Sequence, residues 1–169
     1  IAQFFAAFVD LKKTQAPMQK ALLLIDRFHQ EIDDNKESMA LALSYDDLVH
    51  NQAVGKISAF LTLEEGDVIE GNLWALRNFY RLGVRLVTIT WNYPNSLGFP
   101  NKDPKYQFNG LTPFGREVIR EMNHLGMIID VSHLSDAGFY DVAELSVNPF
   151  MASHSDARAV FDHRRNLTD

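Results

Sequence analysis

Ile128-Ile129-Asp130-Val131-Ser132-His133 is an apolar, β-branched run that ends on an imidazole, and Phe150-Met151-Ala152-Ser153-His154-Ser155 repeats the arrangement one helical segment later. Upstream, Ile57-Ser58-Ala59-Phe60-Leu61-Thr62-Leu63 ends on Glu64-Glu65. Each run has the length and composition of a buried strand and precedes a segment of helical periodicity. In a parallel α/β barrel all strands end at one rim, so these distant positions converge there. Two imidazoles and a carboxylate at one rim form the donor set of a zinc-type hydrolytic site.

The flanking sequence keeps the same alternation. Residues 1–9 read as a buried strand rich in Phe, and residues 18–32 place Leu22, Leu23, Ile25, Phe28 and Ile32 at helical spacing. Residues 39–43 form a short apolar run that fits strand or helix, and Ser44 caps a short helix over 45–54. A helix over 68–82 closed by Gly83 follows, then a strand over 85–91. Residues 92–110 are dense in Asn, Pro and Gly, a length that marks a working loop or lid. Thr112-Pro113 starts a helix that Gly126 ends, and residues 136–145 form the last helix.

About five strands in βα register predict a parallel sheet with outer helices, either doubly wound or part of a barrel. A Rossmann reading lacks its Gly-rich phosphate turn, since Glu65-Gly66-Asp67 and Glu70-Gly71-Asn72 do not make GxGxxG. Five strands alone do not close an eight-stranded barrel. With 169 residues, no internal repeat and no low-complexity linker, residues 1–169 are expected to be a single domain. Both ends read as cut, because the chain opens on Ile1 inside an apolar run and stops without a closing element.

A net charge of −6 argues against nucleic acid or an anionic membrane surface as the main partner. Zero cysteines leave His and carboxylates as the only strong metal ligands. No apolar run reaches the roughly 18–20 residues of a membrane span. A cytoplasmic location is favoured, with a lost signal peptide as the other reading.

Single residues divide by local pattern. A lone strand-end His is more often structural, but two on successive strands point to shared ligation. Glu64 and Glu65 face opposite sides of a strand, so one enters the mouth and the other is solvated or caps the next helix. Asp130, at an odd offset from His133, is expected to face the helix layer and hydrogen-bond a neighbouring element. Ser132, Ser135, Ser153 and Ser155 are supporting or capping groups, and no GxSxG elbow marks a serine nucleophile. His124 is a surface residue at a helix end, and His29, His50 and His163 show no partner pattern. Arg164-Arg165 is a solvated pair or a clamp for a carboxylate.

Leu63-Glu64-Glu65-Gly66, the run Leu82-Gly83-Val84-Arg85-Leu86-Val87-Thr88-Ile89-Thr90-Trp91-Asn92, Gly110-Leu111-Thr112-Pro113-Phe114-Gly115, Asn123-His124-Leu125-Gly126 leading to His133, Ser153-His154-Ser155 and Arg164-Arg165-Asn166 follow one another in order. This ordered set resembles the membrane (renal) dipeptidase family, peptidase family M19, through nearly the whole chain. The resemblance implies a (β/α)8 TIM-type metallohydrolase barrel, of which this chain carries about strands two to six. It also implies two Zn²⁺ ions and a metal-bridging hydroxide that cleaves dipeptides. Glu64 then corresponds to the carboxylate bridging both metals, His133 and His154 to ligands of the second, and Arg165 to the group holding the substrate carboxylate. Trp91 and Asn92 correspond to substrate-contacting positions, with Trp91 where many members have His.

The family's first-strand His-x-Asp pair and its late acidic residue have no counterpart here, so at most one metal is fully liganded by these residues. Two further readings follow from that gap: a non-catalytic metal-binding remnant, or an assembly module completed by a second copy or a complementing chain.

Overall fold

The computed structural model describes residues 1–168. Capping chemistry and apolar spacing set its helices. In α1 (Pro17–Asp34) Pro17 fits the first turn, and Ala21, Ile25 and Phe28 form the buried stripe. Leu22 and Leu23, expected on that stripe, are exposed. Ser44 caps α2 (Tyr45–Ala53) by accepting from Asp47 N. Thr112 caps α4 (Pro113–Leu125) by accepting from Gly115 N, and Gly126 ends it in the left-handed region at φ 71°. Ser135 caps α5 (Asp136–Leu145) through Gly138 N. The remaining helix, α3, spans Leu73–Arg81.

The strands are β1 (Ala2–Phe8), β2 (Met39–Leu41), β3 (Ile57–Glu64), β4 (Val84–Thr88) and β5 (Ile128–Asp130). They form one parallel sheet ordered β1-β3-β4-β5. β1 runs along one edge of β3 from Ser58 to Glu64. The opposite edge is therefore shared, with β2 pairing at Ile57–Ala59 and β4 pairing from Leu61 onward. The ambiguous run at 39–43 is this short strand.

One register row fixes the site. Phe8, Glu64, Thr88 and Asp130 lie side by side at the C-terminal ends of β1, β3, β4 and β5. Aligned residues of parallel strands share a face, so these four side chains point the same way. The other face carries Leu61, Leu63, Val87 and Ile129, buried with Ile25 of α1, Leu76 and Phe79 of α3 and Met122 of α4.

Several expected elements are shorter than their sequence patterns. The helix over 68–82 is instead a single 3-10 turn (Gly66–Ile69) followed by α3, because Glu70 and Gly71 adopt left-handed φ of 51° and 71°. The strand expected to reach Trp91 ends at Thr88, since Asn95 Nδ2 takes the Ile89 carbonyl and Glu65 takes Trp91 N. The strand of the second histidine reduces to one bridge, Met151 to Asp130. Turns rather than a helix follow His154 among the described residues. Residues 92–110 form no free lid: Asp67 holds Ser96, Ser135 Oγ donates to Asn109 O, and Gln107 O accepts from Ala137 N.

Candidate metal centre

β3 delivers Glu64 to the rim, and the turns after β5 and Met151 deliver His133 and His154. Glu64 Oε1 is 3.4 Å from His133 Nε2 and 3.6 Å from His154 Nε2. The two Nε2 atoms are 2.8 Å apart. One donor atom from each residue lies within 4.8 Å of the others, so the three can hold a metal ion together. His133 is 5% exposed, whereas the His154 side chain is 43% exposed. Burial pushes His133 below the ordinary imidazole value, and Arg165 and His154 add to this against the pull of Glu64. A neutral imidazole is the form that ligates.

Both rings are oriented through their second nitrogen. His154 Nδ1 meets Ser153 Oγ at 2.7 Å, and that hydroxyl donates to Asp130 Oδ2 at 2.6 Å. Arg165 Nη1 meets His133 Nδ1 at 3.1 Å. A guanidinium only donates, so His133 accepts at Nδ1 and its Nε2–H points to His154 Nε2. The same logic makes His154 Nδ1 a donor to Ser153, giving one hydrogen-bond direction from Arg165 through both histidines to Asp130. Both Nε2 atoms face the centre; His154 has the arrangement of a metal-binding histidine, its second nitrogen donating and its Nε2 lone pair free, whereas His133 carries its proton on Nε2.

Asp130 departs from its expected position. It is fully buried, shares the face of Glu64, and turns away from the helix layer. The reason is that the strand stops at Asp130 and His133 adopts a left-handed φ of 70°, so the odd offset no longer alternates faces. Its expected hydrogen-bonding role is what the structure shows. Burial alone raises its carboxyl, but bonds from Ser153, Ser132 and Thr88 outweigh that and hold it below the usual range.

Glu65 is the capping one of the two glutamates and is not solvated. It is 1% exposed, and its oxygens accept from Asp67 N, Trp91 N and Asn95 Nδ2. Burial pushes its carboxyl up to about 7 against those three hydrogen bonds. The effect is to anchor the chain after β4. Trp91 consequently sits between Phe8 and His133, with ring centroids 4.9 Å and 6.3 Å away. Asn92 lines a neighbouring cavity with Tyr93.

Arg165 is placed by Ser155 Oγ donating to its carbonyl and by His163 Nδ1 accepting from its amide. Its Nε is buried with no partner among the described residues, so the guanidinium keeps a free donor. The structure therefore brings Glu64, His133, His154, Arg165 and Trp91 together and leaves Asn92 one cavity away. Sequence reasoning misses the alignment of Asp130 with Thr88 and Ser153.

A parallel β/α sheet with two imidazoles and a carboxylate gathered at its C-terminal rim has the layout of a metal site on a β/α barrel. The chain belongs to the membrane dipeptidase family, peptidase family M19, whose pattern matches residues 1–169. Human dipeptidase 3 is 35% identical over 175 aligned residues, covering 99% of this chain and 35% of that protein. A metallo peptidase from Rhodobacter sphaeroides, solved with a phosphinate mimic of the dipeptide L-Ala-D-Ala, superposes with a TM-score of 0.88 at 28% identity. That match covers 98% of this chain and 55% of the other. The dipeptidase AC, a metallo peptidase of family M19, gives a TM-score of 0.90 at 29% identity over 99% of this chain and 54% of the other. The chain spans about a third of the human relative and about half of the two solved structures. It is a section of a TIM-type barrel. No helix among the described residues is long and apolar enough to cross a membrane.

Proposed function

We propose that the protein built on this chain is a zinc dipeptidase, and that residues 1–169 are one partial barrel domain contributing its bridging carboxylate, two metal-binding histidines and substrate arginine. The convergence of Glu64, His133 and His154 within 4.8 Å carries the reading. Two nitrogens and one carboxylate oxygen, with no thiolate in the chain, suit zinc. Zinc, when bound, supplies Lewis-acid activation of water and of the scissile carbonyl.

The chain's own residues do the rest. Asp130 and Ser153 fix His154 with its Nε2 lone pair toward the centre. His133 would hold zinc through Nε2 with its proton on Nδ1, where it could no longer accept from Arg165 Nη1. Arg165 Nη2 would keep the His154 carbonyl at 3.4 Å, while Nη1 would be available to a dipeptide's terminal carboxylate. Trp91 packs one wall of the mouth and excludes water there. Further metal ligands and the strands that close the barrel come from outside these residues, in the same polypeptide or a complementing chain. A cytoplasmic location is part of the same proposal, and fractionation of cells expressing the tagged full-length protein tests it.

The test is turnover of simple dipeptides by the zinc-loaded full-length protein, before and after chelation. Hydrolysis that stops on chelation and returns with zinc is the expected result. Absence of hydrolysis with zinc bound contradicts the reading.

A further inference from the structure

Beside the metal-binding triad lies a second cavity of about 450 Å³, lined by Lys12, Lys102, Lys105 and Arg164 around the ring of Tyr93, with Asp103 as its single carboxylate. The loops after β1 and β4 and the segment after Met151 each contribute, so the cations are gathered from three separate parts of the rim. Lys105 is paired with Asp103 at 2.8 Å. Lys12, Lys102 and Arg164 have no carboxylate partner among the described residues. Tyr93 holds two of them by cation–π attraction: Lys12 Nζ is 3.8 Å and Lys102 Nζ is 5.6 Å from the ring centroid. Arg164 is fixed by donating to Lys102 O at 2.7 Å.

Gathering like charges on one ring is unfavourable, and an anion placed between them relieves the repulsion. In a chain of net charge −6 this is a local reversal of sign. The cavity is in the size range of small-molecule sites rather than of a macromolecular groove. It also adjoins the reaction centre. Trp91 lies 5.6 Å from Tyr93 and 6.3 Å from His133, and Arg164 precedes Arg165, whose Nη1 reaches His133.

We infer that this basic cavity is a specificity subsite for an acidic side chain, so that the preferred substrates are dipeptides containing Glu or Asp. The inference rests on the dipeptidase reading and deepens it. Asn92, expected to contact substrate, lines this same cavity and acquires its role there. Exposed ion pairs are each modest, and two or three acting together give a preference of about tenfold.

The experiment compares matched dipeptides that differ only by charge, Ala-Glu against Ala-Gln and Glu-Ala against Gln-Ala, with the zinc-loaded full-length protein. For at least one pair the acidic member is favoured about tenfold in kcat/KM, chiefly through KM, and the preference shrinks at high salt. In the double variant Lys12→Glu, Lys102→Glu the preference is lost or inverted. Equal hydrolysis of both members of each pair overturns the subsite and leaves the dipeptidase reading standing. An acid preference that survives the double variant also overturns it. Hydrolysis of none of the four peptides overturns the dipeptidase reading, and the subsite with it.

Discussion

Four donors converge on the Asp130 carboxylate: Ser132 N, Ser153 N, Ser153 Oγ and Thr88 Oγ1, at 2.6–3.0 Å. Its side chain replaces the backbone ladder where β5 and the Met151 segment separate, and it orients His154 through Ser153. Asp130→Asn keeps the shape but turns an amide toward these donors, so a loss of about 1–3 kcal/mol is expected in urea unfolding at pH 7. The native carboxyl titrates below its unfolded value, so its contribution is complete above the unfolded pKa of about 3.9 and vanishes as pH falls through the native one. The unfolding curves of the wild type and the Asp130→Asn variant should therefore converge in strong acid. Arg165→Lys removes the bidentate fork and should raise KM for dipeptides about tenfold or more with little change in kcat. An unaltered KM would assign the carboxylate to another group. The histidines and Glu64 were legible in the sequence because each closes an apolar run. Asp130 was not, because strand register aligns it with Glu64 while a left-handed turn brings His133 to the same rim, and no local pattern announces that turn.

At the scale of elements, caps were the most readable signals. Ser44, Thr112, Ser135 and Gly126 all do in the structure what their residue types predict. Strand ends were the least readable, since β4, β5 and the Met151 bridge stop where buried side chains, Glu65 and Asp130, capture the next amides. An apolar pattern continues past such a point while the ladder does not. The start of α4 joins the helix layer to the long rim loop. Thr112 Oγ1 donates to Ser96 O at 2.5 Å and accepts from Gly115 N at 2.9 Å, and Thr112 N donates to Leu97 O. Thr112→Ala should cost about 1–2 kcal/mol and speed amide exchange at Leu97 and Gly98. Gly115→Ala should cost about 1–3 kcal/mol, because a Cβ there collides with the Leu97 carbonyl. A Gly115→Ala protein as stable as wild type would mean that this loop yields easily.

Across the whole molecule the sheet is an open arc. β1 has a partner on one edge only among the described residues, and the far side ends on the single Met151 bridge. Phe4, Phe60 and Ile128 line an uncovered apolar cavity on the face that carries Glu64. Open edges and bare apolar faces recruit partners, so the 169-residue chain alone should self-associate with rising concentration in sedimentation velocity. The arc nonetheless brings together Glu64, His133 and His154, and metal binding by these three underlies the proposed function. Elemental mass spectrometry of the purified chain after zinc loading and desalting tests it, with the His154→Ala variant prepared in parallel. About one zinc per wild-type chain and almost none in the variant is the expected result. Zinc absent from the wild type, or retained in full by the variant, would contradict it.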